Sequence, residues 1–89
     1  MRLDKFLKVS RLVKRRTLAK EVCDAGRVYL NDQLAKASSA VKAGDKIEIR
    51  FGQKTVTVQV NHVLDTSRKE EARSMYTVLA ETISKDDLD

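Results

Sequence analysis

The fold is decided by the stretch RLDKFLKVSRLVKRRTLAKEVCDAGRVYLND, which runs from Arg2 to Asp32. Helical periodicity places Leu3, Phe6 and Leu7 within one arc of about 100° and leaves basic side chains on the opposite side. The pattern predicts a first helix from Leu3 to about Val9.

A second helix is predicted to begin at Thr17, or at the residue just before it, and to stop at Gly26, because glycine commonly ends a helix with a positive φ angle. Arg16 and Lys20 are four residues apart and share its basic face. Its apolar face is predicted to comprise Leu18, Val22 and Ala25. Two such helices, packed through their apolar faces, would present one continuous basic surface.

The residues that follow are typical of a tight β-hairpin. Val28–Leu30 forms one strand, Asn31-Asp32 the turn, and Gln33–Ala35 the second strand. Asparagine tolerates the left-handed conformation that such a turn needs, although aspartate suits the next position less well than glycine would. Residues 36–42 are small and polar without a clear period, and are predicted to form a loop.

A second hairpin is predicted from the alternation of Lys46–Phe51 and Thr55–Val60. The later strand is expected to end between Val60 and Val63. The side chains expected to face inward are Ile47, Ile49, Val56, Val58 and Val60.

The last part of the chain, from Ser67 to Thr82, is predicted to be a helix with Thr66 or Ser67 as its N-cap. Residues from Ser84 onward are expected to fray. The apolar face of this helix would comprise Ala72, Met75, Tyr76 and Leu79. The order of these elements predicts a small α+β fold.

Charge is unevenly distributed along the 89 residues, whose net charge is +5. Residues 1–54 carry 14 Lys or Arg against 6 Asp or Glu, whereas residues 55–89 carry 4 against 7. Within residues 1–20 there are eight basic side chains and a single acid, Asp4. A merely soluble surface usually mixes its signs, so a polyanionic partner is expected at the front half.

Catalysis, a metal site and a cofactor are not expected. With His62 as the only histidine and Cys23 as the only cysteine, a His/Cys zinc set cannot be assembled, and Cys23 is predicted to be a small buried hydrophobe. The three glycines are dispersed rather than grouped in a phosphate-binding loop. No uncharged run approaches the ~20 apolar residues that cross a membrane, so a cytoplasmic location without a membrane partner is expected.

Structured RNA is the favoured partner, because neither a recognition helix for duplex DNA nor an aromatic sheet platform for single strands is visible. A solvated helix face that binds nothing is the alternative reading of the charge. Asp4 is expected to pair with a neighbouring arginine, or to cap the first helix turn, and so to orient a basic side chain. The candidate contacts from the charge pattern are Arg2, Lys5, Lys8, Arg11, Arg15, Arg16 and Lys20, with Lys14 beside them.

Several motifs, in this order and spacing, resemble the RNA-binding domain first described in small-subunit ribosomal protein S4. They are Arg2-Leu3-Asp4-x-x-Leu7, Arg15-Arg16-Thr17 with Ala19, Gly26-x-Val28-x-x-Asn31, Lys36, and Val41-x-x-Gly44-Asp45-x-Ile47. The resemblance implies an αα-hairpin packed on a small, curved antiparallel sheet, here with an extra C-terminal helix. It also adds Lys36 to the RNA contacts and Thr17 to Asp4 as an orienting residue. The usual Asn-Gly turn and the usual proline after the lysine are replaced by Asp32 and Ala37.

The whole chain resembles the free-standing bacterial factors of ribosome-associated quality control, which are related to small ribosome-associated heat-shock proteins. This resemblance implies partners: large-subunit rRNA, peptidyl-tRNA on an obstructed large subunit, and a protein that adds C-terminal alanine to the stalled chain. An RNA-binding domain over residues 1–64 is expected, with a C-terminal helix and acidic tail over residues 65–89 packed on it, and the protein is expected to be a monomer. Two alternatives stay open: a general assembly or heat-shock factor that binds rRNA, and a protein adaptor that uses Met75 and Tyr76.

Overall fold

The computed structural model describes residues 1–65 and 68–83. Its helices are α1 (Leu3–Val9), α2 (Arg16–Asp24) and α3 (Lys69–Ser74), and its strands are β1 (Val28–Leu30), β2 (Gln33–Leu34), β3 (Lys46–Phe51), β4 (Lys54–Val60) and β5 (Tyr76–Ile83). The five strands form one antiparallel sheet in the order β2-β1-β3-β4-β5. The predicted α+β class is confirmed.

Helices α1 and α2 pack against each other, and their apolar side chains join those of the sheet in one buried cluster. The apolar face of α1 is buried as predicted. Of the face predicted for α2, only Val22 packs against the core; Leu18 is 44% exposed, Ala25 is exposed, and Ala19 and Cys23 are buried instead. Small side chains four residues apart on one helix face let α2 approach α1 closely.

The turn between β1 and β2 is tied to the start of β3 by a side-chain network. Asn31 and Asp32 both have positive φ, 51° and 68°, as a tight two-residue hairpin turn requires. The Asn31 Nδ2 donates to Asp45 Oδ1 at 3.1 Å, and its Oδ1 accepts from the Lys46 backbone N–H at 2.9 Å. Asp45 is buried and also accepts from the Lys42 backbone N–H. These contacts give a structural reason for the spacing of asparagine and Gly-Asp in the sequence motif.

The hairpin of β3 and β4 follows the alternation read from the sequence. Ile47 pairs with Val58 and Ile49 with Val56. All five side chains predicted to face inward are buried. The second strand ends at Val60, the earlier limit of the prediction.

The helix predicted over residues 67–82 is wrong in its larger part. After the six residues of α3 the chain becomes β5, which pairs with β4 from Lys54 to Val60, with one register shift between Thr57 and Val58. The run Tyr76-Thr77-Val78 is β-branched and aromatic, and the free edge of β4 offers backbone groups that need partners. Tyr76 pairs with Val60 and Val78 pairs with Val58. This pairing suits the β-branched and aromatic side chains and satisfies the backbone groups of β4, so tertiary contacts override the helical spacing.

The boundaries of this C-terminal region differ accordingly from the prediction. Helix α3 begins after Arg68, whose backbone N–H donates to Glu71 Oε1 at 3.1 Å. The predicted caps Thr66 and Ser67, and the tail from Ser84, lie outside the described residues.

Met75 offers a test of how β5 is anchored, because its side chain is fully buried whereas Leu79 is 51% exposed. Met75→Ala is expected to lower the free energy of unfolding by about 2–5 kcal/mol through a cavity. Leu79→Ala, the matched control, is expected to lower it by less than about 1 kcal/mol. Urea unfolding followed by circular dichroism measures both. Equal losses in the two variants would contradict this arrangement of the last strand.

Candidate nucleic-acid interface

The start of α1 is held by the loop that follows β2. The Leu3 backbone N–H donates to Ser39 O at 2.8 Å, and the Asp4 N–H donates to Ala37 O at 3.1 Å. In return the Val41 N–H donates to Met1 O at 2.8 Å. Because the loop occupies these N–H groups of the first helical turn, that turn does not present them to a ligand. Arg2, which immediately precedes α1, is thereby fixed in an extended conformation.

Asp4 lies buried between two arginines that come from different elements. Its Oδ1 is 3.2 Å from Arg2 Nε and 3.5 Å from Arg16 Nη2, and it also accepts the Lys5 backbone N–H at 2.8 Å. The Asp4 side chain is 5% exposed, whereas those of Arg2 and Arg16 are 52% and 50% exposed. We call these three residues the Arg2–Asp4–Arg16 cluster. It holds two guanidinium groups side by side with donors left over for an external anion.

The environment of Asp4 keeps its carboxylate ionised. Burial by itself raises its pKa, but the hydrogen bond from the Lys5 backbone and the positive charges of Arg16 and Arg2 together outweigh that effect. The net result is a pKa below the ordinary value of 3.8. The cluster is therefore fully charged at neutral pH.

A cleft of about 590 Å³ adjoins the cluster and collects three of the predicted contacts. Its lining includes Arg2, Lys20 of α2 and Lys36 of the loop after β2. Within residues 1–65 and 68–83, neither lysine forms an ion pair. The structure thus brings Arg2, Arg16, Lys20 and Lys36, which come from three separate segments of the sequence, into one neighbourhood.

The other predicted contacts come from α1, from the turn that follows it and from the residue before α2. Arg15 is the exposed residue that precedes α2, whose first turn carries no acid. Lys8 is exposed in the last turn of α1, and Arg11 is exposed in the turn that follows, with φ of 63°. Lys5 is instead paired with Asp65, at 3.2 Å.

Thr17, predicted to orient a basic side chain, is exposed in the first turn of α2. Its side chain makes no hydrogen bond within the described part of the chain.

Sequence reasoning did not single out Asp24, which lines the same cleft at the end of α2. The available signal was its position four residues after Lys20, which places both on one helix face. Ser38 and Leu34, which also line the cleft, gave no signal, because only the folded path of β2 and of the loop after it brings them there.

Cys23 and His62 have no visible part in a reactive site. Cys23 is buried as predicted, and burial, followed by the charges of Asp4 and Asp24, raises its pKa to about 11. His62 is exposed, with Nε2 at 3.2 Å from Ser74 Oγ. Across the described ranges no three His, Cys, Asp or Glu side chains group as metal ligands, and no helix is long and apolar enough to span a membrane.

A helix pair bearing paired arginines, packed on a small antiparallel sheet, is the arrangement that the sequence motifs imply, and residues 1–47 match the family model of the S4 domain. The chain belongs to the S4 domain family. The resemblance seen in the sequence is therefore confirmed, together with the fold that it implies.

Individual relatives are similar over most of the chain. The RQC P-site tRNA stabilizing factor of Bacillus subtilis is 69% identical over 81 residues, which cover 91% of this chain and 94% of that protein. The heat shock protein 15 homolog of Haemophilus influenzae is 31% identical over 96% of this chain and 66% of that protein. The trimeric structure of heat shock protein 15 from Vibrio cholerae matches with a TM-score of 0.82 and 36% identity, covering 90% of this chain and 82% of that one.

The pairing of Asp4 predicts a specific dependence of stability on pH. Because its folded pKa is lowered, the ionised carboxylate stabilises the fold above pH 3.8, and that contribution is lost as pH falls through the folded pKa. Asp4→Asn is therefore expected to be less stable than the native protein at pH 7, with a difference that shrinks below pH 3.8. Urea unfolding from pH 7 down to pH 3 measures it.

Asp65→Asn is the matched control, because Asp65 is 90% exposed and an exposed ion pair contributes little. Its difference from the native protein is expected to stay small at every pH. A difference for Asp4→Asn that does not change with pH would contradict the stabilising ion pairs.

Proposed function

We propose that this protein is a non-enzymatic RNA-binding factor of bacterial ribosome-associated quality control. It acts in the cytoplasm, on large ribosomal subunits obstructed by peptidyl-tRNA, where it binds large-subunit rRNA and the tRNA. The observation that carries the proposal is the Arg2–Asp4–Arg16 cluster, which continues into Lys20 and Lys36. The name of the Bacillus subtilis relative, a P-site tRNA stabilizing factor, supports the tRNA part.

The proposed mechanism is electrostatic docking of a preformed surface. Each guanidinium offers forked donors that match a phosphate, and the contact with Asp4 holds the forks in place before RNA arrives. Side chains already ordered in the free protein lose little conformational entropy on binding. Release of counterions from the RNA adds a favourable, salt-dependent contribution.

The finer parts of the proposal concern partners beyond RNA. The bound factor would stabilise peptidyl-tRNA while a partner protein adds alanine residues to the C-terminus of the stalled chain. One copy per subunit is proposed, although the Vibrio cholerae relative was solved as a trimer. Nothing in this mechanism makes or breaks a covalent bond in the protein's own site.

A second candidate is a general assembly or heat-shock factor that binds large-subunit rRNA without a role in tailing. The similarity to heat shock protein 15 from two organisms favours it. Sequencing of RNA crosslinked to the protein in cells separates the two functions, because the quality-control role requires tRNA as well as rRNA. Recovery of rRNA alone would favour the second candidate.

The adaptor function loses its main support, since Met75 is fully buried and Tyr76 packs against the core rather than facing a partner.

Arg16→Ala tests the interface directly. Loss of one well-placed arginine is expected to weaken binding by about 1–3 kcal/mol, or about 5- to 150-fold. The fold should be little affected, because Asp4 keeps its contacts with Arg2 and the Lys5 N–H. Co-sedimentation with large subunits carrying peptidyl-tRNA measures the binding, and a thermal melt checks the fold.

Arg73→Ala is the matched control, since Arg73 is an exposed arginine of α3, remote in sequence from the cluster. It is expected to bind as the native protein does. Equal binding by Arg16→Ala and Arg73→Ala would refute the assignment of the interface.

The salt dependence of binding gives an independent measure of how many RNA phosphates the interface neutralises. If five to eight phosphates are neutralised, the slope of log K against log salt concentration should be about −4 to −7. Arg16→Ala should make that slope less steep by about one. A slope near zero would exclude an electrostatic interface.

A further inference from the structure

The cleft between α2 and the loop after β2 has a composition that phosphate binding alone does not explain. Three cations, Arg2, Lys20 and Lys36, surround it, but its lining also includes the carboxylate of Asp24. Asp24 is exposed and forms no ion pair within the described ranges. It is also the last residue of α2, where the helix dipole adds a partial negative charge. The side of the cleft formed by Asp24 therefore repels a phosphate and favours a group that donates hydrogen bonds.

The deepest part of the cleft is apolar. Cys23, Ala35 and Ala37 line it and are buried, so they form its floor, while Leu34 is exposed and lies at its rim. Cys23 stays a neutral thiol at physiological pH, because burial raises its pKa to about 11. The volume of about 590 Å³ lies within the range of about 300–1,000 Å³ typical of small-molecule sites. A flat, largely apolar ring therefore fits this floor.

We propose that this cleft binds one unpaired nucleobase of the RNA, with guanine favoured and uracil disfavoured. The base lies against the apolar floor, and Lys20 and Lys36 contact the phosphates on either side of it. Asp24 accepts hydrogen bonds from the edge of the base. The inference rests on the proposed function, because the cleft adjoins the cluster that would hold the RNA backbone.

The preference for guanine follows from how the donors and acceptors on the edge of each base match the Asp24 carboxylate. A carboxylate only accepts hydrogen bonds, and guanine presents two adjacent donors, the N1–H and the N2 amino group, which match its two oxygens. Uracil presents one N–H between two carbonyl oxygens, which the carboxylate repels. Unpaired bases are also the parts of RNA that proteins read by sequence, since a paired helix hides them in its deep groove.

The test uses RNA hairpins that are identical except for a single-nucleotide bulge of G or U, together with a fully paired hairpin. Fluorescence anisotropy measures the dissociation constant of each. The native protein is expected to bind the G-bulged hairpin at least about fivefold more tightly than the U-bulged one, since such contacts discriminate by about 1–3 kcal/mol. Equal affinities for all three hairpins would overturn the inference.

Asp24→Asn and Glu21→Gln form a matched pair, because both remove one negative charge from exposed positions of α2 and only Asp24 lines the cleft. Both variants are expected to bind the paired and U-bulged hairpins somewhat more tightly, through the added net positive charge. Asp24→Asn should lose the difference between G and U, and Glu21→Gln should keep it. Retention of the full difference in Asp24→Asn would overturn the role of the carboxylate.

Ser38→Trp fills the cleft from an exposed position and leaves the charge unchanged. It is expected to reduce binding of the G-bulged hairpin to the level of the paired hairpin, whose binding should not change. Gln53→Trp, in the exposed turn between β3 and β4, is the control. An equal loss for both hairpins in Ser38→Trp would overturn the proposal.

The same experiments separate this inference from the proposed function. If large subunits and paired hairpins bind but the bulge has no effect, the cleft proposal fails and the function stands. If the native protein binds neither large subunits nor any hairpin, both fail.

Discussion

The buried carboxylate of Asp4 is the contact on which the rest of the interface depends. An ionised group removed from water is strongly destabilising unless charged partners and hydrogen bonds compensate for it. Here the compensation comes from Arg2, Arg16 and the Lys5 backbone N–H. Because the two arginines belong to different segments, Asp4 gains its contact with Arg16 only when α1 and α2 are packed in their native arrangement. The same carboxylate that links the two segments also positions the guanidinium groups.

Asp4 lowers the net positive charge of the interface but fixes the orientation of two arginine side chains. Asp4 cancels part of the positive potential, yet about half of each guanidinium side chain remains exposed. A surface that attracted polyanions by charge alone would have no use for an acid at its centre. The acid is consistent with a surface that must hold its donors in a fixed geometry, and Asp24 plays a comparable part in the proposed base site, where it supplies an acceptor among cations.

Much of the fold could be predicted from local patterns. The main error of that prediction, a helix in place of strand β5, has a physical cause. The bounds of α1 and the inward residues of β3 and β4 follow from periods of 3.6 and 2 residues, which burial on one side imposes. Residues 75–79 carry helical spacing as well as β-branched side chains, and only the free edge of β4, which no local pattern reveals, decides between them. The basic candidate residues could be named from the sequence, but their arrangement in space could not. The pairing of Asp4 with Arg16, twelve residues away, and the meeting of Lys20 with Lys36 depend on how the helices and the loop pack.

Strand β5 lies at the edge of the sheet and has an exposed side chain at every position except Tyr76. A segment with so few buried groups opens at a lower free energy than the core that it borders. Its backbone amides should therefore exchange with solvent deuterium sooner than those of α1 or β3. The arginine-bearing helices share no hydrogen-bonded ladder with this strand, so transient detachment of β5 would leave them in place. Opening of this edge of the sheet is thus expected to leave the proposed RNA interface intact.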